Sequence, residues 1–281
     1  MKTALLQLNV TDDPATNVKQ TLSMIRDAAS DGARFILTPE VTNCISNSRR
    51  HQNNVLQHES EDQTLTAIQN LSAQLGITTL IGSLALKTDD ASGRFANRSF
   101  LIDPSGSIKA RYDKIHMFDV NINAEEAFQE SKAYRPGDTA VIADAGFAKI
   151  GMTICYDVRF PHLHRTLAHA GAQILTVPAA FAPTTGAAHW ETLLRARAIE
   201  TGCFVLAPAQ TGTHATATGT SRTTYGHSIA IDPWGGIIAK AGVKPGPIHL
   251  TINLSESDEA RQRVPSIEHD RQYTPPHEPN Q

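Results

Sequence analysis

The first part of the chain alternates short apolar runs with segments in which apolar residues recur at helical spacing. The runs TALLQLNV, ARFILTPE and ITTLIGSLAL are typical of buried strands. After the first run, Asp13 and Pro14 form a helix start signal. The apolar residues that follow, Val18 and Leu22 among them, lie on one helical face. The pattern therefore predicts a β-α-β unit whose second strand finishes at Glu40.

Two further signals divide the chain into similar halves. A capping-box pattern over Ser60–Gln63 predicts a second helix, which Gly76 would end. Beyond it, SFLIDPSGSIKA (99–110) carries two strand-like arms around Asp-Pro-x-Gly, a sequence that favours a type I turn. The pattern returns in SIAIDPWGGIIA (228–239). Two such hairpins could arise independently, but the match favours an internal repeat.

The second half of the chain repeats the alternation of strands and helices. The runs FAKIGMTICYD and AQILTVPAAF flank a helical segment from Pro161 to Ala172. The pattern then predicts a helix over HWETLLRARAIETG, which Gly202 ends. The next strand is predicted over CFVLAPAQ. Two α/β halves of this kind pack their sheets together with the helices outside. The sequence thus predicts an α/β fold, a four-layer αββα sandwich with two internally related halves.

The length of the chain is compatible with one large domain. It has 281 residues, and α/β folds often use about 200 to 250 residues for a single core. We assign residues 1–254 to this domain. From Ser255 the sequence is charged and then proline-rich, so we expect residues 255–281 to form a C-terminal arm or tail that contacts a partner subunit.

Composition narrows the classes of partner. The net charge is -3, and the 25 lysines and arginines are scattered, so no basic patch for nucleic acid or an anionic membrane is expected. A small molecule is the expected partner. The N-terminal apolar run is too short for a signal peptide, which favours a cytoplasmic location. Three cysteines without paired spacing argue against a disulfide framework.

Cys155 stands at the end of an apolar run, shortly before a helix that Pro161 can begin. The arrangement is similar in kind to a nucleophile elbow, although the G-x-S-x-G signature is absent. Such a turn would raise the sulfur above the sheet edge and offer backbone N–H groups to an oxyanion. The alternative is a small buried hydrophobic residue, since free cysteine is among the most buried residue types.

The base that would serve this thiol is not evident from spacing. None of the twelve histidines can be tied to it. His162, His164 and His169 are expected on a solvated helix face, whereas His116 and His189 are candidates for pocket walls. No HExxH or Cys-x-x-Cys spacing occurs, and no G-x-G-x-x-G follows a strand, so neither a catalytic metal nor a cofactor is expected.

Two charged residues offer other candidates. Glu40 ends the run FILTPE, where an acid would point over a sheet edge, although it could equally be a strand terminus in a polar loop. Lys114 in RYDKIHMFD is flanked by large apolar residues, and a lone lysine there is more often a surface residue that packs its stem on apolar neighbours. Neither residue indicates chemistry when taken alone.

Taken together, the three positions resemble the carbon-nitrogen hydrolase (nitrilase) superfamily. Its catalytic residues are a glutamate ending a "PE" strand, a lysine in a "K-x-H" segment and a cysteine in "C-Y-D-x-R-F-P". The matching residues are Glu40 in LTPE, Lys114 in YDKIHMFD and Cys155 in GMTICYDVRFP. The resemblance covers Met1 to about Leu254. It implies the αββα sandwich and a homodimer or larger homo-oligomer joined face to face.

The resemblance also implies roles. Cys155 would attack the substrate, Glu40 would act as the base, and Lys114 with the backbone N–H of Tyr156 would hold the oxyanion. Glu130 in ESKAYRPG matches a second acid of the family, which helps to position the lysine and the substrate. The expected intermediate is a cysteine thioester.

Within the superfamily, residues 184–212 and the segment YGHSIAIDPWG are similar to the branch of deaminated glutathione amidase and ω-amidase. The branch implies an amidase that converts the terminal amide of a small carboxylate-bearing substrate, such as the α-keto analogue of glutathione, to acid and ammonia. Arg159, Phe181 and Thr185 would line the substrate pocket, and Arg159 could pair bidentately with a substrate carboxylate. The alternative for Arg159 is a structural salt bridge with Asp157.

Other functions stay open at this level. An ω-amidase acting on α-ketoglutaramate, an N-carbamoyl-amino-acid hydrolase or a nitrilase would use the same three residues. A catalytically silent binding scaffold is the alternative from a different class, and the intact set of three residues argues against it.

Overall fold

The computed structural model describes residues 1–122 and 127–276. In these ranges the α-helices are α1 (Pro14–Ser30), α2 (Arg49–Val55), α3 (Gln63–Leu75), α4 (Pro161–His169), α5 (Pro183–Thr201) and α6 (Ser255–Arg263). The strands of the first half are β1 (Lys2–Gln7), β2 (Phe35–Leu37), β3 (Thr78–Leu86), β4 (Ala96–Ile102), β5 (Ile108–Asp113), β6 (Asp119–Asn121) and β7 (Ala127–Gln129). The strands that follow are β8 (Val141–Asp144), β9 (Lys149–Met152), β10 (Ile174–Thr176), β11 (Phe204–Ala207), β12 (Thr211–His214), β13 (Arg222–Tyr225), β14 (Ile229–Ile231), β15 (Ile237–Lys240) and β16 (Gly246–Thr251).

Two six-stranded sheets share one pattern of strand order and direction. The first sheet runs β16-β1-β2-β3-β4-β5, and the second runs β8-β9-β10-β11-β14-β15. In each sheet an antiparallel edge strand precedes three parallel strands, and an antiparallel hairpin follows. The hairpin turns close in the same way, with Gly106 N–H donating to Asp103 O (2.9 Å) and Gly235 N–H donating to Asp232 O (3.0 Å). The predicted internal repeat is confirmed.

Alternating side chains of the strands build the layers. In β1, Leu5 packs in one apolar cluster with Leu175 of the second sheet, whereas Leu6 packs in another with Ile25 of α1. Successive residues of a strand point to opposite faces, so each sheet has one face toward the other sheet and one toward helices. The predicted four-layer αββα sandwich is confirmed, and its sheet-to-sheet interface forms the core.

Local signals set most element ends, with two corrections. α3 begins at Gln63 and is capped by Asp62, whose side chain accepts from Leu65 N–H (2.8 Å). The capping box expected to begin at Ser60 is therefore wrong, because an aspartate directly before the helix supplies the cap. The strand expected to finish at Glu40 ends at Leu37. Pro39 has no N–H to donate to a ladder, so Glu40 lies in the loop beyond the strand.

The C-terminal segment begins with a helix that packs on the second half. In α6, Ser257 Oγ donates to Gly202 O (2.6 Å), and Arg261 donates from its guanidinium to Ala172 O (2.6 Å). These contacts join α6 to the ends of α5 and α4. The division at residue 254 and the contact with a partner subunit stay predictions, and residues 277–281 of the expected arm lie outside the described residues.

Gly82 in β3 allows a close approach of the segment that leads to Glu40. A Cβ atom on Gly82 would lie 2.5 Å from Pro39 O and closer still to Thr38 O. Ser83 N–H donates to Pro39 O (3.2 Å) beside this contact. The absence of a side chain at Gly82 therefore lets β3 hold the loop directly by its backbone.

We expect Gly82→Ala to lower the free energy of unfolding by about 1 to 3 kcal/mol, because backbone atoms would have to move to admit the methyl group. Urea unfolding followed by circular dichroism measures the change. Gly242→Ala is the matched control, since a Cβ there meets no atom within 4 Å. Equal unfolding midpoints for the two variants would contradict this account of Gly82.

Candidate active site

Four chemically active side chains from separate parts of the chain converge. Glu40 follows β2 in the first sheet, and Cys155 follows β9 in the second. Lys114 comes directly after β5, and Glu130 begins a short 3-10 turn after β7. All four border one cavity of about 320 Å³. The structure therefore brings the sequence-predicted site residues together.

Lys114 is buried between two carboxylates. Its Nζ donates to Glu40 Oε1 (2.9 Å) and to both carboxylate oxygens of Glu130 (2.9 and 2.8 Å). The Lys114 side chain is only 2% exposed, so the alternative of a surface lysine is wrong. The paired acids satisfy the ammonium group that burial would otherwise leave without partners.

Glu40 is held by three donors. Asn97 Nδ2 donates to Glu40 Oε1 (2.8 Å), as Lys114 does, and Ala180 N–H donates to Glu40 Oε2 (2.8 Å). Glu40 is 4% exposed. Glu40 thus lies in the loop beyond the strand, as a buried carboxylate held by these donors and not as a solvent-exposed loop residue.

Charge and burial together set the protonation of this pair. Burial raises the pKa of the Glu40 carboxyl, but the charge and hydrogen bond of Lys114 outweigh it, so the pKa lies below its ordinary value. Burial lowers the pKa of Lys114, whereas the charges of Glu130 and Glu40 raise it well above its ordinary value. The geometry therefore favours an ionised Glu40 beside a protonated Lys114.

Cys155 occupies a strained turn at the end of its strand. It begins the 3-10 turn Cys155–Arg159 with a φ of 50°, a region that residues other than glycine rarely adopt. Its N–H donates to Pro178 O (2.9 Å). Such strain is typical of positions where a fold must aim one side chain. The elbow-like turn expected from the sequence is present.

The Cys155 thiol is held in its protonated form. Burial raises its pKa well above the ordinary value, and the nearby charge of Glu40 raises it further, while Lys114 partly offsets both. Because the thiol pKa is raised and the Glu40 pKa is lowered, the proton rests on sulfur in the free site. A role for Glu40 as the proton acceptor therefore requires the negative charge to pass on to a substrate as the sulfur attacks.

Asp157 joins the cysteine turn to the lysine segment. It accepts from Tyr112 Oη (2.7 Å), from Ile154 N–H (2.8 Å) and from the N–H of His116 (3.0 Å), whose Nδ1 also lies 2.7 Å from it. The buried carboxylate thus fixes the distance between two segments that are remote in sequence. Asp157 was not a candidate site residue in the sequence reasoning.

None of the histidines in residues 1–122 and 127–276 borders the cavity that contains Cys155. His116 stacks on the Phe160 ring at 3.5 Å, and among the described residues neither it nor His189 borders the cavity. His162 and His169 are exposed as expected. His164 is buried, and burial lowers its pKa to about 4. Its assignment to a solvated helix face is therefore wrong, because it packs on the inner side of α4.

A family comparison agrees with this geometry. The model of the family described as "Carbon-nitrogen hydrolase" matches residues 2–262. The chain belongs to the carbon-nitrogen hydrolase family. The expected class of enzyme, a hydrolase of carbon-nitrogen bonds other than peptide bonds, is confirmed.

Curated relatives of this carbon-nitrogen hydrolase carry amidase names. It is 37% identical over 269 residues to the deaminated glutathione amidase of Yersinia enterocolitica, which spans 95% of this chain and 92% of the relative. It is 32% identical over 262 residues to the omega-amidase of Homo sapiens, with 93% of this chain and 92% of the relative aligned.

Solved structures share the fold. The NitFhit protein of C. elegans matches with a TM-score of 0.88 and 33% identity, over 96% of this chain and 65% of that one. Saccharomyces cerevisiae Nit3, described as a member of branch 10 of the nitrilase superfamily, matches with a TM-score of 0.82 and 27% identity over 94% of each chain. The resemblance to the nitrilase superfamily is thereby confirmed.

The carbon-nitrogen hydrolase cavity contains residues that the sequence reasoning did not find. Among them are Arg49, Asn97, Phe128, Tyr134 and Arg222. Asn97 lies in a strand and Arg222 in a short two-stranded sheet, so neither has a local pattern that separates it from a surface residue. Only the spacing from a known motif could have signalled them.

The three predicted pocket residues differ in whether they border the cavity. Phe181 borders the cavity, whereas Arg159 and Thr185 do not do so among the described residues. Arg159 lies beside the rim, with its guanidinium carbon 5.8 Å from the Tyr156 ring centroid and 5.7 Å from that of Phe181. The described part of the chain shows no ion pair between Arg159 and Asp157. Substrate contact by these residues stays a prediction.

Two further observations concern the part of the chain that the structure describes. Within residues 1–122 and 127–276, no group of three or more His, Cys, Asp or Glu side chains has an arrangement that could hold a metal ion. In the same ranges no helix has the length and hydrophobicity needed to cross a membrane.

We expect Glu40→Gln to shift ionisation of the Cys155 thiol to lower pH, because the carboxylate that raises the thiol pKa is replaced by a neutral amide. The measurement is the pH dependence of iodoacetamide alkylation, followed at Cys155 by peptide mass spectrometry. Cys44 is an internal control, since burial, Asp12 and Asp13 raise its pKa to about 12, and Glu40 is not among the causes. An unchanged or higher midpoint at Cys155 would refute the coupling.

Proposed function

We propose that this carbon-nitrogen hydrolase is a thiol-dependent amidase for small carboxylate-bearing amides of the deaminated glutathione type. The observation that carries the proposal is the buried contact of Lys114 with Glu40 and Glu130 in the cavity that Cys155 borders. The amidase names of relatives at 37% and 32% identity support it. The roles of Glu40, Lys114, Glu130 and Cys155 and the choice of substrate are our proposal.

In the first step Cys155 and the substrate form a tetrahedral adduct, which is the precursor of the thioester. Glu40 accepts the thiol proton while Cys155 Sγ attacks the amide carbonyl carbon. The carbonyl oxygen becomes an oxyanion that the Lys114 ammonium and the Tyr156 N–H stabilise, and each such donor is worth about 3 to 4 kcal/mol in comparable enzymes. Glu130 holds Lys114 in place, since its carboxylate accepts two hydrogen bonds from Nζ.

The second step breaks the carbon-nitrogen bond. Glu40 returns the proton to the departing nitrogen as the tetrahedral adduct collapses to a thioester. The leaving group is ammonia for a primary amide. The amides of deaminated glutathione are substituted, so this substrate would release an amine, the remaining dipeptide. The release of ammonia expected from the sequence therefore applies only to primary amides. Water activated by Glu40 then hydrolyses the thioester and regenerates the thiol.

The substrate is proposed to be oriented beside this centre. Arg159 would pair with the carboxylate of the acyl portion, while Phe181 and Thr185 would pack beside it. Arg159 is placed near enough to the cavity rim for this role, because its guanidinium carbon lies within 6 Å of two rings that border the cavity. The cation there complements an anionic substrate.

A second candidate function is the ω-amidase reaction on α-ketoglutaramate, which the name of the 32% identical human relative favours. A nitrilase or an N-carbamoyl-amino-acid hydrolase would use the same centre. The products separate these functions. A screen would measure dipeptide release from deaminated glutathione, ammonia release from α-ketoglutaramate and nitriles, and carbon dioxide release from N-carbamoyl amino acids. An absence of product from all of these substrates would contradict the proposal.

We expect Cys155→Ala to reduce turnover at least a thousandfold, because no thioester can form. Glu40→Gln should also lose turnover while its thiol stays available for alkylation. The measurements are product release and, in the wild-type enzyme quenched during turnover, the mass of an acyl group on the Cys155 peptide. Retained turnover in Cys155→Ala with an unchanged circular dichroism spectrum would exclude this nucleophile.

We also propose that the chain forms a homodimer through an apolar patch on the second half. The patch consists of Ile199 on α5 and Trp234 in the β14–β15 turn, which are 55% and 52% exposed, and Val264 after α6. Arg263 lies 3.8 Å above the Trp234 ring, so α6 and the turn form one surface. Contiguous exposed apolar groups of this kind mark interaction sites. The C-terminal arm would continue this interface.

We also propose that the protein is located in the cytoplasm.

We expect Trp234→Glu to shift the protein from dimer to monomer, since a charge would be buried in the patch. Sedimentation velocity at several concentrations measures the assembly. Val243→Glu is the control, because Val243 is also an exposed apolar residue (61%) but lies beyond the opposite end of β15. A dimer that resists Trp234→Glu would argue against this face.

A further inference from the structure

The two arginines that border the cavity differ in how many of their N–H donors are already hydrogen-bonded within the protein. Arg49 donates to Lys132 O and to Gly93 O, each at 2.7 Å, so both ends of its guanidinium are tied to backbone. Arg222 donates to Ala180 O (2.7 Å) and makes no other hydrogen bond among the described residues. A guanidinium group has five N–H donors. Arg222 therefore brings to the cavity wall a cation with most of its donors available.

Arg222 lies on the Glu40 side of the site. One peptide links the two residues, since Ala180 N–H donates to Glu40 Oε2 (2.8 Å) and Ala180 O accepts from Arg222. The positive charge of Arg222 is also one of the causes that lower the pKa of Glu40, after burial and Lys114. In the proposed reaction Glu40 protonates the departing nitrogen, so this side of the cavity receives the leaving group.

Arg159 lies elsewhere. Its guanidinium carbon lies 5.8 Å from the Tyr156 ring centroid and 5.7 Å from that of Phe181, outside the described cavity lining, and its terminal nitrogen is 3.2 Å from His189 Nδ1. The scissile amide would therefore have one cation beside its acyl portion and a different one beside its leaving group. Such an arrangement matches a substrate that carries an anionic group on each side of the amide.

We propose that Arg222 binds a carboxylate on the leaving amine and thereby selects amides whose leaving group is itself an amino acid or short peptide. The inference rests on the proposed amidase function and names the substrate class of the same site. Deaminated glutathione belongs to this class, whereas α-ketoglutaramate does not, because its leaving group is ammonia.

The dimensions and chemistry agree with this role. A two-residue leaving group extends at most about 7 Å beyond the scissile nitrogen, which suits a cavity of about 320 Å³. The Phe128 ring lies 6.0 Å from the guanidinium carbon of Arg222. An apolar neighbour reduces solvent screening of the cation and strengthens a charge-assisted pair with a carboxylate.

The test couples a change in the enzyme to a change in the substrate. Wild-type enzyme and Arg222→Gln are compared on deaminated glutathione and on its C-terminal carboxamide, which lacks the leaving-side carboxylate. The wild-type enzyme should have a kcat/KM at least tenfold higher for the acid than for the carboxamide. In Arg222→Gln this ratio should fall to near one. Arg49→Gln removes the same charge from the same cavity and should keep the wild-type ratio.

Binding separates this inference from the proposed function. The affinities of both compounds for Cys155→Ala protein, with and without Arg222→Gln, are measured by calorimetry. A preference for the acid that depends on Arg222, without turnover by the wild-type enzyme, would contradict the amidase and keep the binding role. Turnover with equal rates and affinities for acid and carboxamide would overturn the inference. A loss in Arg222→Gln that leaves the acid to carboxamide ratio unchanged would also overturn it, since Arg222 would then act only by holding Ala180 beside Glu40.

Discussion

The buried ammonium group of Lys114 is the interaction on which the site depends. An isolated ion in the protein interior costs several kcal/mol, and only close partners of opposite charge offset this cost. Glu40 and Glu130 supply them at 2.8 to 2.9 Å. Because Lys114 requires both acids, it determines where the loop after β2 and the turn after β7 must lie. The same charge keeps Glu40 ionised within reach of the Cys155 thiol.

The rest of the fold holds these charges at fixed positions. Gly82 lets β3 contact the loop before Glu40 through its backbone, and Asp157 ties the cysteine turn to Tyr112 and His116. Each contact joins a segment that carries a site residue to a strand or turn of the sandwich. These contacts fix the backbone positions from which the side chains of Glu40 and Cys155 reach the cavity.

The cationic groups in and beside the cavity differ in how far they are already paired. Lys114 is neutralised by its acids, and Arg49 is engaged with backbone carbonyls. Among the described residues Arg222 donates only to Ala180 O, and Arg159 lies outside the cavity lining, near the Tyr156 and Phe181 rings. In the proposed reaction these two arginines supply the positive charge that an anionic substrate would meet.

The sequence by itself determined the αββα class, the internal repeat and three motifs around Glu40, Lys114 and Cys155. These follow from patterns within short segments, such as apolar periodicity and turn residues. Tertiary structure decided the burial of His164 and the position of Arg222. It also decided that Lys114, 74 residues from Glu40 in sequence, bonds to it directly. Contacts of this kind depend on how two sheets pack and where their loops meet, and no local pattern records that geometry.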